Sequence, residues 1–358
     1  MSDRKDRYRH WAFSIDGARW VRGVAAAKRF RFRRAVAGVS FSCMTDADAT
    51  ALPADGERTP VPHRAICRLA RRRVLWLAAS APLMMGASMT ADAATPTGAS
   101  LLTAPLSLAG SWRGSAPGDV LAVLGRMRAA CLDGIRLVSD RQPAALRVQD
   151  VASGPPHVWL HTDAPGTAIV AVDVGARDWI NLSYQFGHEL GHVMANSWMW
   201  GDAPRNPCQW LEEAVVEAFS LRGLGRLAED WAVAPPFPHN NAYAAPIRAY
   251  RRNLLEQDLA EARAQGADAG LGGWYAAQAG FLATHGTVIA ARPAVPAVLE
   301  LLEADETAVA DIGALNRWPE RSHLPLGTYL ARWRESCAEL GLAGLLPGEL
   351  ARLLKPGR

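Results

Sequence analysis

Cysteine is scarce: there are five in 358 residues, with no pair at metal-finger spacing and no series resembling a disulfide framework. A packed core must therefore hold the fold, and 49% hydrophobic residues can supply one. No internal repeat and no low-complexity tract recurs along the chain, which argues against a solenoid or fibrous array. The apolar run from Val74 to Ser88 is too short for a comfortable membrane span. Excess positive charge is also missing where it would matter. Residues 94–358 carry 22 Lys+Arg against 27 Asp+Glu, whereas residues 1–73 carry 17 against 7. The formal charge of +4 thus belongs to the leader. A nucleic-acid-binding body is excluded, and the Arg-rich run Lys28 to Arg34 lies in a segment not expected to join the fold.

The leader has a recognisable shape. Arg71-Arg72-Arg73, the apolar run Val74 to Ser88 and Ala91-Asp92-Ala93 match the basic, apolar and small-x-small parts of a secretory signal peptide. The expectation is an exported protein, periplasmic or secreted, without a stable membrane span once the signal is cleaved. A retained anchor is the alternative. The signal lies far from Met1, so either translation begins downstream, with Met44 one candidate start, or the leader is unusually long. Arg71-Arg72 ahead of Val74-Leu75 loosely resembles a twin-arginine export signal. Cleavage after Ala93 leaves Cys131, Cys208 and Cys337, which cannot all pair. One disulfide with a free thiol, or small buried apolar residues, are the two readings.

The chain divides into a basic leader and signal (1–93), a flexible connection rich in Ala, Thr, Ser, Pro and Gly (94–116), an α+β catalytic part (117–232) and a helical part (233–358). Val120, Leu121, Val123, Leu124, Met127 and Cys131 recur at helical spacing and predict a first helix ending near Gly134. Ala145–Val148, Val158–His161 and Ala168–Val174 read as strands, with Trp179–Leu182 a fourth, short one. Residues 196–208 read as a loop in which Trp198 and Trp200 either line a cleft or pack beneath it. Trp210–Arg226 predicts a second strong helix. Beyond Pro235-Pro236-Phe237-Pro238, helices are expected near 242–265, 272–285, 294–303, 326–340 and 347–354. The fold class is therefore α+β: a small mixed sheet and an active-site helix, then an all-helical C-terminal half.

The chemistry centres on Tyr184-Gln185-Phe186-Gly187-His188-Glu189-Leu190-Gly191-His192-Val193. On a helix, His188 and His192 stand one turn apart on one face, so both imidazoles can reach one cation, with Glu189 beside them. Phe186, Leu190 and Val193 supply a packing flank. A catalytic zinc site takes three protein ligands and keeps a position for water, so a carboxylate is needed. In Trp210-Leu211-Glu212-Glu213-Ala214-Val215-Val216-Glu217, Glu213 and Glu217 stand one turn apart. Glu213 is the expected ligand, with Glu212 as its rival. Glu217 is expected to accept a hydrogen bond from the far nitrogen of a ligand His, His188 first.

These residues resemble the gluzincin zinc metallopeptidases. His188-Glu189-x-x-His192, about twenty residues, then Trp210-Leu211-Glu212-Glu213-Ala214 is similar to the aminopeptidase pattern in which Trp-Leu-Asn-Glu-Gly supplies the third ligand. The Glu213 and Glu217 pairing is similar to that of thermolysin-like enzymes. The resemblance covers about 35 residues, His188 to Ser220. Glu212 stands where the family often has Asn, and no Gly-x-Met-Glu-Asn run precedes the metal helix, so recognition of a substrate amino terminus is not implied. The family implies one Zn2+ ion and a peptide or protein substrate, with Glu189 as general base. It also implies a second electrophile from the helical part: Tyr275 in Gly273-Trp274-Tyr275 is the first candidate, with His239 and Tyr243 next. His285 and His323 are read as unconnected with the metal. Two alternatives stand beside a peptidase: a zinc amidase acting on cell-wall peptides, and a non-catalytic zinc-bound scaffold that binds peptides. Retention of Glu189 argues against the scaffold, because a structural site needs no general base.

Overall fold

A computed structural model describes residues 100–355 except 152–153, 161–163, 199–206, 320 and 322. The leader, its signal and Trp200 therefore lie outside the described residues, which belong to one compact unit. Within it, a short helix α1 (Ser100–Thr103) leads into strand β1 (Leu106–Ala109), then α2 (Pro117–Leu132), β2 (Ala145–Asp150), β3 (His157–Val158) and β4 (Thr167–Val172). The remainder is helical: α3 (Trp179–Met194), α4 (Gln209–Val233), α5 (Ala244–Gln265), α6 (Leu271–Leu282), α7 (Val288–Ala291), α8 (Val295–Ala304), α9 (Glu306–Ile312), α10 (Leu326–Glu339) and α11 (Leu345–Leu353). This is the expected α+β class, with a four-stranded mixed sheet and a helical C-terminal half.

The sheet runs β1-β2-β4-β3. β1 and β4 flank β2 in parallel, with Leu108 opposite Val148 and Val148 opposite Val170, and β3 closes the far side antiparallel to β4. β2 alternates between half-buried and buried residues, sending Leu146 and Val148 inward, whereas Ala168 to Val172 of β4 are all buried. That difference follows from position, since a strand covered on both faces reads as a continuous apolar run. β1 falls in the stretch expected to be a flexible connection; pairing with β2 overrides its turn-rich composition. Trp179–Leu182 is not a strand but the first turn of α3, because Asp178 caps it by accepting from Asn181 N at 3.3 Å.

Helix α4 runs through the middle of the helical layer against α2, α3, α5 and α8. Every residue from Trp210 to Leu224 is buried, as a helix surrounded on all sides requires. α3 lies alongside it, buried on nearly its whole length. Two glycines permit the close approach. A Cβ on Gly191 would stand 2.8 Å from Val216 Cβ, and one on Gly187 would strike the Met127 methyl and Ser220 Oγ. The site is therefore built on two rigid helices whose separation is fixed by side chains that are absent.

Cys131, Cys208 and Cys337 are free and buried, and Trp198 is a buried part of the core. No helix among the described residues is long and apolar enough to cross a membrane.

Candidate metal centre

His188 and His192, one turn apart on α3, face Glu213 on the second turn of α4. Glu213 Oε2 lies 3.4 Å from His188 Nε2 and Glu213 Oε1 lies 3.8 Å from His192 Nε2. The imidazole centroids are 5.1 Å apart with their planes at 70°. One donor atom from each of the three residues lies within 4.8 Å of the others, and all three residues are buried. A four-coordinate cation with bonds of about 2 Å keeps its ligand atoms about 3.3 Å apart, so the spacing fits a bound ion.

Unpaired atoms point the same way. Among the described residues, both carboxylate oxygens of Glu213 and Oε2 of Glu189 are buried without a hydrogen-bond partner. Glu189, Glu212, Glu213 and Glu217 are all at most 3% exposed. Four carboxylates this close together and this deeply buried need positive charge to offset their desolvation. A divalent cation between Glu213 and the two imidazoles would supply it. His188, His192 and Glu213 thus form a buried group able to hold a metal ion.

Each imidazole is held from behind. His188 Nδ1 donates to Glu217 Oε2 at 2.8 Å, as the one-turn spacing of Glu213 and Glu217 predicts. Tyr184, one turn before His188, donates its hydroxyl to the same carboxylate at 2.9 and 3.0 Å. His192 Nδ1 donates to Glu212 Oε1 at 2.7 Å. Glu212 also accepts from Ser197 Oγ at 2.5 Å and from Asn316 Nδ2 at 2.8 Å, and it is not part of the group that could hold an ion. These bonds fix which ring nitrogen carries the proton and turn each Nε2 toward Glu213.

Asn316 ties the helical half to this site. Its Oδ1 accepts from Tyr329 OH at 2.7 Å, and its main-chain oxygen accepts from Arg321 Nη1 at 3.2 Å. On the other side of the loop, Asn196 donates to the carbonyls of Gly313 and Leu315 at 3.0 and 2.7 Å. Both asparagines have left-handed backbone, φ 64° at Asn196 and 57° at Asn316, a conformation that Asn tolerates better than most residues.

Burial pushes the Glu189 carboxyl up to about 7, against the pull of His188 and His192 and with help from Glu213 and Glu212. Burial alone would lower both imidazoles, yet hydrogen bonds to their glutamates raise them, His188 well above its ordinary value. Glu212 is held low despite its burial, because His192 donates to it.

The structure does not bring Tyr275 into this group. The residue is half-buried on α6, its ring stacked on Trp210 at 5.7 Å, and among the described residues it makes no hydrogen bond to the site's carboxylates or imidazoles. Tyr243 packs its ring against Trp231 at 5.3 Å, and His239 is exposed on the turn before it. His285 stacks on Phe281 at the surface and His323 is exposed. Tyr184 stood within the first motif without an assigned role, and Glu212, the rival for the ligand position, is instead engaged with the other nitrogen of His192. Tyr184 carries a local signal, since it precedes His188 by one turn. Asn316 and Tyr329 carry none, because distant chain folds them onto the site, and Ser197 lies just past α3 in the stretch read as a loop. No family model matches the chain, and neither the curated proteins nor the solved structures give a match, leaving the site's own chemistry as the guide to function.

Proposed function

We propose that this chain is a zinc-dependent metallopeptidase of gluzincin type, in which His188, His192 and Glu213 hold the ion and Glu189 is the general base. The observation that carries this reading is a carboxylate, Glu213, buried with both oxygens unpartnered and facing two imidazoles already oriented by Glu217 and Glu212. Two nitrogen donors with one carboxylate is a donor set of catalytic zinc sites, which leave one position open. When bound, the ion supplies a Lewis acid that polarises a carbonyl oxygen and brings the pKa of water from about 16 toward 7.

Glu189 does the proton work. A carboxylate placed beside the metal-holding group can take a proton from the attacking water and return it to the leaving amine. Its free Oε2 is available for that exchange. Glu217 and Glu212 hold the imidazoles still and steady their charge, and Tyr184 and Asn316 in turn hold those carboxylates. A scaffold that merely retained an ion would gain nothing from a buried, unpartnered glutamate at position 189. Export of the enzyme, with cleavage after Ala93, belongs to the same proposal and is read from the amino terminus of the protein recovered outside the cell.

The test is hydrolysis of casein or a mixed peptide library by the purified chain. Activity that disappears with a chelator, returns with Zn2+ and is absent from Glu189→Gln supports the proposal. Stoichiometric zinc with no turnover of any peptide would overturn it in favour of a peptide-binding scaffold.

A further inference from the structure

Away from the metal centre, a pocket of about 240 Å³ opens between α4, α5 and the end of α8, lined by Arg222, Gly225, Arg226, Glu229, Arg251 and Glu303. Three guanidinium groups meet there. Arg222 and Arg226 stand one turn apart on α4, and Arg251 reaches across from α5. Gly225 makes room for it, since a Cβ there would lie 3.2 Å from Arg251 Nε. Arg251 Nε donates to Leu221 O at 2.8 Å, which pins the fork against α4.

Arg222 is the anomaly. It is only 3% exposed, and its Nε donates to Leu302 O at 3.1 Å, but among the described residues neither Nη1 nor Nη2 has a hydrogen-bond partner. The carboxylate oxygen recorded beside it, Glu306 Oε1, is 3.6 Å from Nη2 and engages Arg226 instead. A guanidinium with both ends of its fork buried and unanswered is costly. Burial and the adjacent Arg226 charge also lower its hold on the proton. The carboxylates near it are loosely placed: Glu229 lines the same pocket and is exposed, and the Glu303 and Glu306 side chains are 47% and 55% exposed. Glu303 already engages Arg251, and Glu306 engages Arg226.

We infer that this pocket is an anion site that takes a phosphate group, with Arg222 as its floor and Arg226 and Arg251 as its walls. Phosphate suits it better than another carboxylate. A carboxylate offers two oxygens and one charge, which Glu303 and Glu306 already bring. A phosphate dianion offers acceptors to several guanidinium forks at once and displaces a carboxylate held only at the rim.

Isothermal titration of the full chain with inorganic phosphate, at constant ionic strength in chloride, tests this. Saturable one-to-one binding is expected. Arg226→Gln should weaken it about tenfold or more, the loss of one charge-assisted contact. Glu306→Gln removes the competing carboxylate and should tighten it. Both side chains are partly exposed, so neither variant depends on refilling the buried Arg222 site. Binding should be stronger at pH 8 than at pH 6, where phosphate carries less charge. Heat that follows ionic strength alone, or binding that neither substitution moves, would overturn the inference and leave the pocket to water and Glu306. Phosphate also binds divalent cations, so the titration is repeated on Glu213→Ala, where binding should persist; its loss would reassign the anion to the metal centre. Phosphoserine in place of inorganic phosphate separates the sources: tighter binding assigns the site to a phosphorylated molecule, weaker binding to the free ion.

Discussion

Glu212 and Glu213, neighbours on α4, take opposite sides of the same imidazole: Glu212 Oε1 accepts from His192 Nδ1 at 2.7 Å, and Glu213 Oε1 faces His192 Nε2 at 3.8 Å. Adjacent residues on a helix point about 100° apart, which lets α4 reach both edges of one ring. The two glutamates should therefore fail differently. Glu213→Ala should leave the protein without bound metal. Glu212→Gln should keep the metal but bind it about ten- to a hundredfold more weakly, the usual cost of losing an outer partner. Metal content after dialysis, and competition against a chelator, read the two outcomes. Metal kept by Glu213→Ala and lost by Glu212→Gln would reverse their roles, and equal loss would contradict the distinction.

Glu189→Gln should retain the metal at wild-type stoichiometry while peptide hydrolysis falls by at least about a hundred- to ten-thousandfold. Metal analysis and turnover on one preparation check this. Loss of the metal together with activity would mean that Glu189 is a ligand.

Asn316→Ala should destabilise the chelator-treated protein by about 2–4 kcal/mol, because Glu212 and Tyr329 each lose a buried partner and Ala resists left-handed backbone. Asn316→Gly relieves only the backbone and should recover part of the loss. Denaturant unfolding distinguishes these. A glycine variant as stable as wild type would show that the hydrogen bonds contribute nothing.

Asp258 offers a test by pH. It is buried on α5, 3.7 Å from Arg292 Nε, with Oδ2 lacking a hydrogen-bond partner. Burial, with the Glu217 charge, pushes its carboxyl up to about 8. Below the ordinary carboxylate range, the folded and unfolded chains both hold this proton. Between that range and pH 8, only the folded chain keeps it. Stability from this group is therefore complete in acid and declines as pH rises, by up to about 1.4 kcal/mol per unit. Asp258→Asn should lack that decline and gain on the wild type between pH 5 and pH 8. Parallel stability curves for the two proteins would rule out the raised value.

Gly313 approaches the chain so closely that a Cβ would land on the Val138 carbonyl. Gly313→Ala must move backbone and not a flexible side chain, so a loss of about 3 kcal/mol or more in unfolding free energy is expected. A melting temperature unchanged from wild type would contradict it.

What the sequence made legible was local. His188, Glu189 and His192 follow from one helical turn, and Glu213 with Glu217 from another. The strand cores at Val148 and Val170 follow from apolar content. Other features were hidden. The Trp179–Leu182 run looks like a strand because aromatic and β-branched residues open it, until Asp178 is seen as a cap. Leu106–Ala109 looks like a linker because its β character depends on β2 lying alongside. The short α9 went unpredicted, as seven residues give too little periodicity to read. The support of Glu212 by Asn316 was beyond local pattern altogether.

That support spans 104 residues of sequence, and the ties from Asn196 to Gly313 and Leu315 span 117 and 119. Closing so long a loop is slow compared with winding α3 or α4, so the two histidines are expected to share a helix before His192 gains its full backing. Tight metal capture should then be among the last events of folding, and the rate at which refolding protein acquires the ion would time the arrival of the distant Asn316 loop.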